Sequence, residues 1–374
     1  MRADHERSRE HVIPKAIGGA LSPQNPFVLK NVCSQCNNLA GLFIDAEFIK
    51  DWFVHNEVAM CARRYADVAH GAIIPFSYMG PIEGLTWDEN ICECWLGPTG
   101  DTVFHFHRPY PELADLAPRV GVPPKLLGVV FDPGFAFIFV RASNPEWHLT
   151  ILGSFAAGFE HSTLYIANGT TPPGGRFSDL PAELLVLRDR IKESLGGMLT
   201  TRFSVGVHAG ERFLAKLALG LGALLLCPEF VTSRSAQMLR DFMWTRNAAA
   251  REGIRFEGSG FRTGALSNMG HLLAWPGGHT LFLVPVGDRL VLGCFFYGRQ
   301  CAMVTVTDES AHWKEAVPPG GVVYVVSPGI ARHTGPVLLG QYIAHRVGSD
   351  HVDAGLAEIE QAERGVPALP SYDV

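Results

Sequence analysis

The chain has 374 residues, of which 47% are apolar and 18% charged, with a formal net charge of −6. That length exceeds a single hydrophobic core and predicts two or three domains, and the composition excludes a disordered or fibrous chain. The acidic balance excludes a surface coated in basic side chains, so any nucleic-acid contact must be made by one local patch.

Eight cysteines behind a charged start (MRADHERSRE) without an apolar leader predict free thiols in a reducing compartment, not a disulfide scaffold. The longest apolar run, Leu217 to Cys227, is too short to span a bilayer. A cytoplasmic protein without a membrane segment is therefore expected.

Residues 1–55 are dense in polar and metal-type side chains and then turn helical. LAGLFIDAEFIKDWFVH sets Leu42, Phe43, Phe48, Ile49, Trp52 and Phe53 at helical spacing. From about residue 73 the pattern becomes strand-like. ICECWLGPTGDTVFHFH predicts a hairpin closed around Gly97-Pro98-Thr99-Gly100, and KLLGVVFDPGFAFIFVRA a second pair turning at Asp132-Pro133-Gly134. WHLTILGSF and HSTLYIAN continue the strand character, and the breaker-rich NGTTPPGGRFSDLP (168–181) reads as a linker. Beyond it, Ser178 is a candidate cap for DLPAELLVLRDRIKESL, and Glu211–Leu226 and Ser235–Glu252 are helix-like. The last part returns to short strands with Gly-Gly and Gly-Asp turns, and GVPALPSYDV forms a loose tail. Strands and helices interleaved without βαβ regularity predict an α+β fold in three segments: 1–55, a β-rich 56–180, and 181–374 with helices followed by hairpins.

The hairpin at 91–107 admits two registers. Pairing Cys94 with His105 and Cys92 with His107 would put a Cys₂His₂ set on one face. A one-residue slip instead sets Phe104 and Phe106 opposite the cysteines and sends both histidines to the other face. The second needs no metal and is the expected one. Glu211, Arg212 and Lys216 precede an apolar helix and read as a solvated face, with a phosphate grip as the alternative. Cys227, Cys294 and Cys301 read as core thiols. His271, His279, His312 and His333 have no partner spacing.

The densest constellation is SREHVIPKAIGG followed by LKNVCSQCNN. Glu10 and His11 are adjacent and would point to opposite sides of a straight strand. Pro14 and Gly18-Gly19 supply a bend and a close-approach loop. Oxygen donors from a carboxylate and a carboxamide suit a hard divalent cation, and a neutral imidazole near it can take a proton from water.

These residues resemble the HNH endonucleases, whose ββα-metal fold carries [DE]-H-x-x-P-x-x-x-G-G and then N-x-x-C-x-x-C-N-x-x-x-G. The resemblance covers about residues 8–55. It implies His11 as general base, Glu10 and Asn37 as ligands of a catalytic Mg²⁺ or Mn²⁺, and Asn31 as the residue that steadies the base. Cys33 and Cys36 match half of a structural Zn²⁺ site. Members with such a knuckle usually carry a second C-x-x-C upstream, and here ten residues precede His11 without a cysteine. Three explanations compete: a true start upstream of Met1, a module that folds without zinc, or Cys61, Cys92 or Cys94 completing the set.

The implied activity is metal-assisted hydrolysis of DNA phosphodiester bonds, leaving 5′-phosphates. Lys15, Arg9 and Arg7 are the expected phosphate contacts. The remainder of the chain would target or regulate the nuclease, with a homodimer or partner needed to cut both strands, in a bacterial, phage or mobile-element setting. The alternative is a non-catalytic nucleic-acid- or ligand-binding protein with a degenerate HNH module.

Overall fold

The computed structural model describes residues 6–19, 25–65, 72–109, 134–170, 175–202, 206–245, 254–259, 270–298, 300–349 and 352–366. Strands β1 (Arg7–His11) and β2 (Val28–Cys33) form an antiparallel hairpin. From β2 the chain enters α1 (Ser34–Ala40), passes through a π-turn (Gly41–Asp45) and continues as α2 (Ala46–Lys50). Asp51 Oδ1 accepts from the Phe53 N–H at 3.1 Å and opens α3 (Trp52–Tyr65).

There follow β3 (Ser77–Trp87), β4 (Asn90–Leu96), β5 (Thr102–His107), β6 (Phe135–Phe139), α4 (Pro145–Gly158), β7 (Thr163–Ile166) and α5 (Ala182–Ser194). Next come α6 (Val207–Leu225), α7 (Arg234–Trp244) and β8 (Phe256–Ser259). The last elements are β9 (His279–Val286), β10 (Arg289–Phe296), β11 (Gln300–Thr307), β12 (Val322–Ser327), β13 (Arg332–Leu338), α8 (Leu339–Arg346) and α9 (Ala354–Arg364). The fold is α+β, as expected, and no helix among the described residues is long and apolar enough to cross a membrane.

By contact the chain divides into two compact units, one from Met1–Tyr65 with Val205–Ala368 and one from Ala66–Ser204. This differs from three successive segments: the N-terminal hairpin folds with the C-terminal half, and the second unit is an insertion between them.

In the first unit a six-stranded sheet runs β13-β12-β9-β10-β11-β8. Its core joins Val12, Ile13, Ile17, Ile44 and Phe48 from the N-terminal segment to Phe213, Leu217 and Leu221 of α6 and Leu281 and Leu292 of the sheet. Phe48 stacks on Phe213 with centroids 3.8 Å apart. Gly220 of α6 has no side chain because that of Val12 occupies the space a Cβ would take. Glu211, Arg212 and Lys216 of α6 are buried, correcting the expectation of a solvent-facing patch. Arg212 instead pairs with Glu47 at 2.8 Å and donates to the Met243 carbonyl at 2.9 Å. Cys294 and Cys301 are buried as expected, whereas Cys227, just after α6, is only half-buried.

In the second unit a five-stranded sheet runs β3-β4-β5-β6-β7, antiparallel except for β6 with β7. Cys92 pairs with Phe106, Glu93 with His105 and Cys94 with Phe104, which is the metal-free register expected for the cysteines. Cys92, Cys94, Phe104 and Phe106 pack with Leu184, Leu187 and Ile191 of α5, and Val103, Ala136 and Ile138 pack with Ile151 and Phe155 of α4. WHLTILGSF is thus helical rather than extended. Pro145 occupies the first turn, Asn144 Oδ1 accepts from the N–H of Glu146 and Trp147, and the apolar residues recur at helical spacing. Helix α5 begins after Pro181 and has no side-chain cap, so Ser178 does not cap it. The strand before Asp132-Pro133 and the tail beyond residue 366 lie outside the described residues.

Candidate active site on the N-terminal hairpin

Strand β2 carries one extra residue opposite β1, between the pairs Ser8–Val32 and Glu10–Leu29. Asn31 sits in this bulge with φ 67°, a backbone conformation that asparagine tolerates better than most residues. Along β1 the exposed Arg7 and Arg9 alternate with the half-buried Ser8 and Glu10, and His11, the last residue of the strand, is half-buried. Arg7, Arg9 and Lys15 are all exposed.

The His11 ring is set by the loop after β1. Its Nδ1 lies 3.3 Å from the Gly19 carbonyl oxygen and 3.4 Å from Asn25 Nδ2. The Asn25 amide is oriented by the Phe27 N–H, which donates to Oδ1 at 2.9 Å, and Nδ2 donates to the same Gly19 oxygen. In the tautomer that satisfies the Gly19 carbonyl, Nδ1 carries the imidazole proton and Nε2 keeps the lone pair, and the Asn25 amide then donates to the Gly19 oxygen and not to Nδ1. Gly19 is required there because a Cβ would fall inside the Ile13 carbonyl. Asn31 makes none of the hydrogen bonds at His11; the asparagine beside the ring is Asn25.

Glu10 turns toward α6. Its Oε1 is 2.6 Å from Lys216 Nζ, close enough for an ion pair though not aligned as a hydrogen bond. Lys216 also donates to Asp45 at 2.7 Å (Oδ1) and 2.6 Å (Oδ2). Burial pushes the Glu10 and Asp45 carboxyls above their ordinary range, and the shared ammonium opposes that shift.

Asn37 lies in α1, on the Ser8 side of the hairpin. Its Nδ2 donates to Ser8 Oγ and to the Arg9 carbonyl, both at 3.0 Å, which leaves Oδ1 as its remaining donor atom toward a cation. As oxygen donors, Glu10 Oε2 and Asn37 Oδ1 fit a hard divalent ion, while Glu10 Oε1 already carries the Lys216 charge. Cys33 and Cys36 meet at the start of α1. The N–H and thiol of Cys36 hold the Cys33 thiol below its usual range, and that contact raises the Cys36 thiol. Among the described residues no third Cys, His, Asp or Glu joins them as a ligand set. Cys61 donates to the Gly277 carbonyl at 3.5 Å, and Cys92 and Cys94 are buried in the second unit.

Residues 2–53, which hold this hairpin and the helices that follow it, are matched by the family model of HNH endonucleases. The N-terminal segment is an HNH module. No curated protein and no solved structure matches the chain. Sequence reasoning did not find three parts of the HNH module's setting. Asn25 was signalled only by the Asn-Pro step of a turn. Asp45 and Lys216 stand 171 positions apart, and nothing local in the sequence joins them. His279 donates from β9 to the Ile17 carbonyl at 2.7 Å, inside the same loop.

Proposed function

We propose that the HNH module is a metal-dependent endonuclease hydrolysing DNA phosphodiester bonds, with His11 as general base. The observation that supports this is the 3.3 Å contact of His11 Nδ1 with the Gly19 carbonyl, which, made by Nδ1–H, leaves Nε2 to take a proton from water. Arg7 and Arg9 of β1 and Lys15 in the following loop supply exposed positive charge for backbone phosphates, contacts that are salt-sensitive and sequence-blind. A Mg²⁺ or Mn²⁺ ion held by Glu10 and Asn37 would supply charge neutralisation at the scissile phosphate and the departing 3′-oxygen. Cys33 and Cys36 contribute two thiolates toward a structural Zn²⁺. The remainder of the chain targets or regulates cleavage, and cutting both strands requires a second copy or a partner.

The test is plasmid cleavage in Mg²⁺ or Mn²⁺ by the full chain and by His11→Ala. The expected loss in the variant is about 100-fold or more. Equal cleavage by both proteins ends the nuclease assignment.

One observation favours a different function: the Glu10 carboxylate is already paired with Lys216. A module so neutralised would bind nucleic acid without cutting it. In that case neither protein cleaves above background, while both retard DNA in a gel.

A further inference from the structure

We propose that Glu93, His105 and His107, in the second unit, form a binding site for a divalent first-row metal ion of the Zn²⁺ type. The site is separate from the HNH residues, and its failure would leave the nuclease reading untouched.

The register that buries Cys92 and Cys94 against Phe104 and Phe106 sends Glu93, His105 and His107 together to the opposite face of β4 and β5. Glu93 stands directly across from His105, and the two imidazole rings are 4.7 Å apart. One donor atom from each of the three lies within 4.8 Å of the others. His107 Nε2 and Glu93 Oε2 are 3.3 Å apart. Two donors at ~2.0–2.1 Å from a tetrahedral ion stand about 3.3 Å from one another, so this edge already has the required length.

Each donor is held from behind. The Tyr78 hydroxyl donates to Glu93 Oε1 at 2.7 Å, and Ser162 Oγ lies 3.1 Å from His105 Nε2. His107 Nδ1 is 2.7 Å from the Arg108 carbonyl oxygen, which can only accept. Nδ1 therefore carries a proton, and Nε2 faces the Glu93 carboxylate, a pair that either a second ring proton or a metal ion can join. A proton would satisfy that pair alone, whereas a metal ion uses all three donors, His105 included. His107 is only 2% exposed, so the ion would be screened from water on that side. A His₂Glu set supplies three ligands and leaves a coordination position for water or an exogenous ligand, unlike a closed four-ligand structural site.

The experiment uses the full chain carrying Cys33→Ser and Cys36→Ser, so that the HNH thiols contribute nothing. After stripping with EDTA it is titrated with Zn²⁺ by calorimetry and with Co²⁺ by visible absorption. The expected result is one ion per chain that is lost in Glu93→Gln and retained in Glu10→Gln, with a Co²⁺ spectrum lacking thiolate charge-transfer bands. Glu93→Gln and His105→Asn should each weaken binding at least tenfold, and Tyr78→Phe by roughly tenfold. A folded double-serine chain that takes up neither metal, or affinities unchanged in Glu93→Gln and His105→Asn, overturns the proposal. Should the double-serine chain not fold by circular dichroism, the Co²⁺ spectrum of the unsubstituted chain decides between nitrogen–oxygen and thiolate ligation.

Discussion

His279 donates from Nε2 to the carbonyl oxygen of Ile17, tying strand β9 to the loop that holds His11 in place. Its Nδ1 accepts from the Tyr297 N–H at 3.3 Å, so the buried ring is neutral, and burial lowers its pKa to about 4. The folded value lies below the unfolded one of about 6.5. The stabilisation is therefore complete above pH ~6.5 and is lost as the pH falls toward 4, on the order of 3 kcal/mol in total. Urea denaturation across that window should show the loss in the native chain and a flatter profile in His279→Gln. Parallel profiles would remove the ring as the cause.

Lys216 is the charge between Glu10 and Asp45. Replacing it with methionine leaves two half-buried carboxylates without their cation, which should destabilise the chain by about 3–5 kcal/mol. Adding Asp45→Asn to Lys216→Met removes one of the two charges and should restore part of the loss in the same denaturant titration. A double variant no more stable than Lys216→Met would show that charge is not the source.

The features legible in the sequence are those fixed by local chemistry. The Gly18-Gly19 loop, the helices from Ser34 to Tyr65 and the Cys92–Phe106 register follow from turn residues, helical spacing and the cost of burying polar groups. WHLTILGSF fails that test because its cap, Asn144, lies outside the apolar run and strand-like residues fill a buried helix. What the sequence hides is long-range. Lys216 reads as a surface charge from its neighbours, and only the packing of α6 on the HNH module shows that it meets Glu10. The same packing supplies the module with apolar contacts from Phe213, Leu217 and Leu221.

The cysteines should separate sharply by reactivity. The Cys33 thiol is lowered by Cys36, whereas burial raises Cys94 to about 12 and Cys61 to about 11, and Cys294 is raised well above its usual range. Because the thiolate is the nucleophile, iodoacetamide near pH 8 should label Cys33 first, followed by Cys36 once its neighbour is blocked. Peptide mapping by mass spectrometry should find Cys92, Cys94 and Cys294 unlabelled in the folded chain. Early labelling of any of these three would contradict their burial.

Asn25 lies against the His11 ring and the Gly19 carbonyl. Its Nδ2 and the His11 Nδ1 share the Gly19 oxygen, so Asn25→Ala frees the loop and the ring together. If His11 is the base, the turnover rate should fall roughly tenfold, less than the loss in His11→Ala, because the imidazole remains but visits the productive orientation less often. KM for the DNA should stay close to its original value, since Arg7, Arg9 and Lys15 are untouched. A variant that loses affinity while keeping its turnover rate would place Asn25 in DNA binding instead. Asn25→Asp should be worse than Asn25→Ala, because it sets a carboxylate oxygen against the Gly19 carbonyl where an N–H now donates.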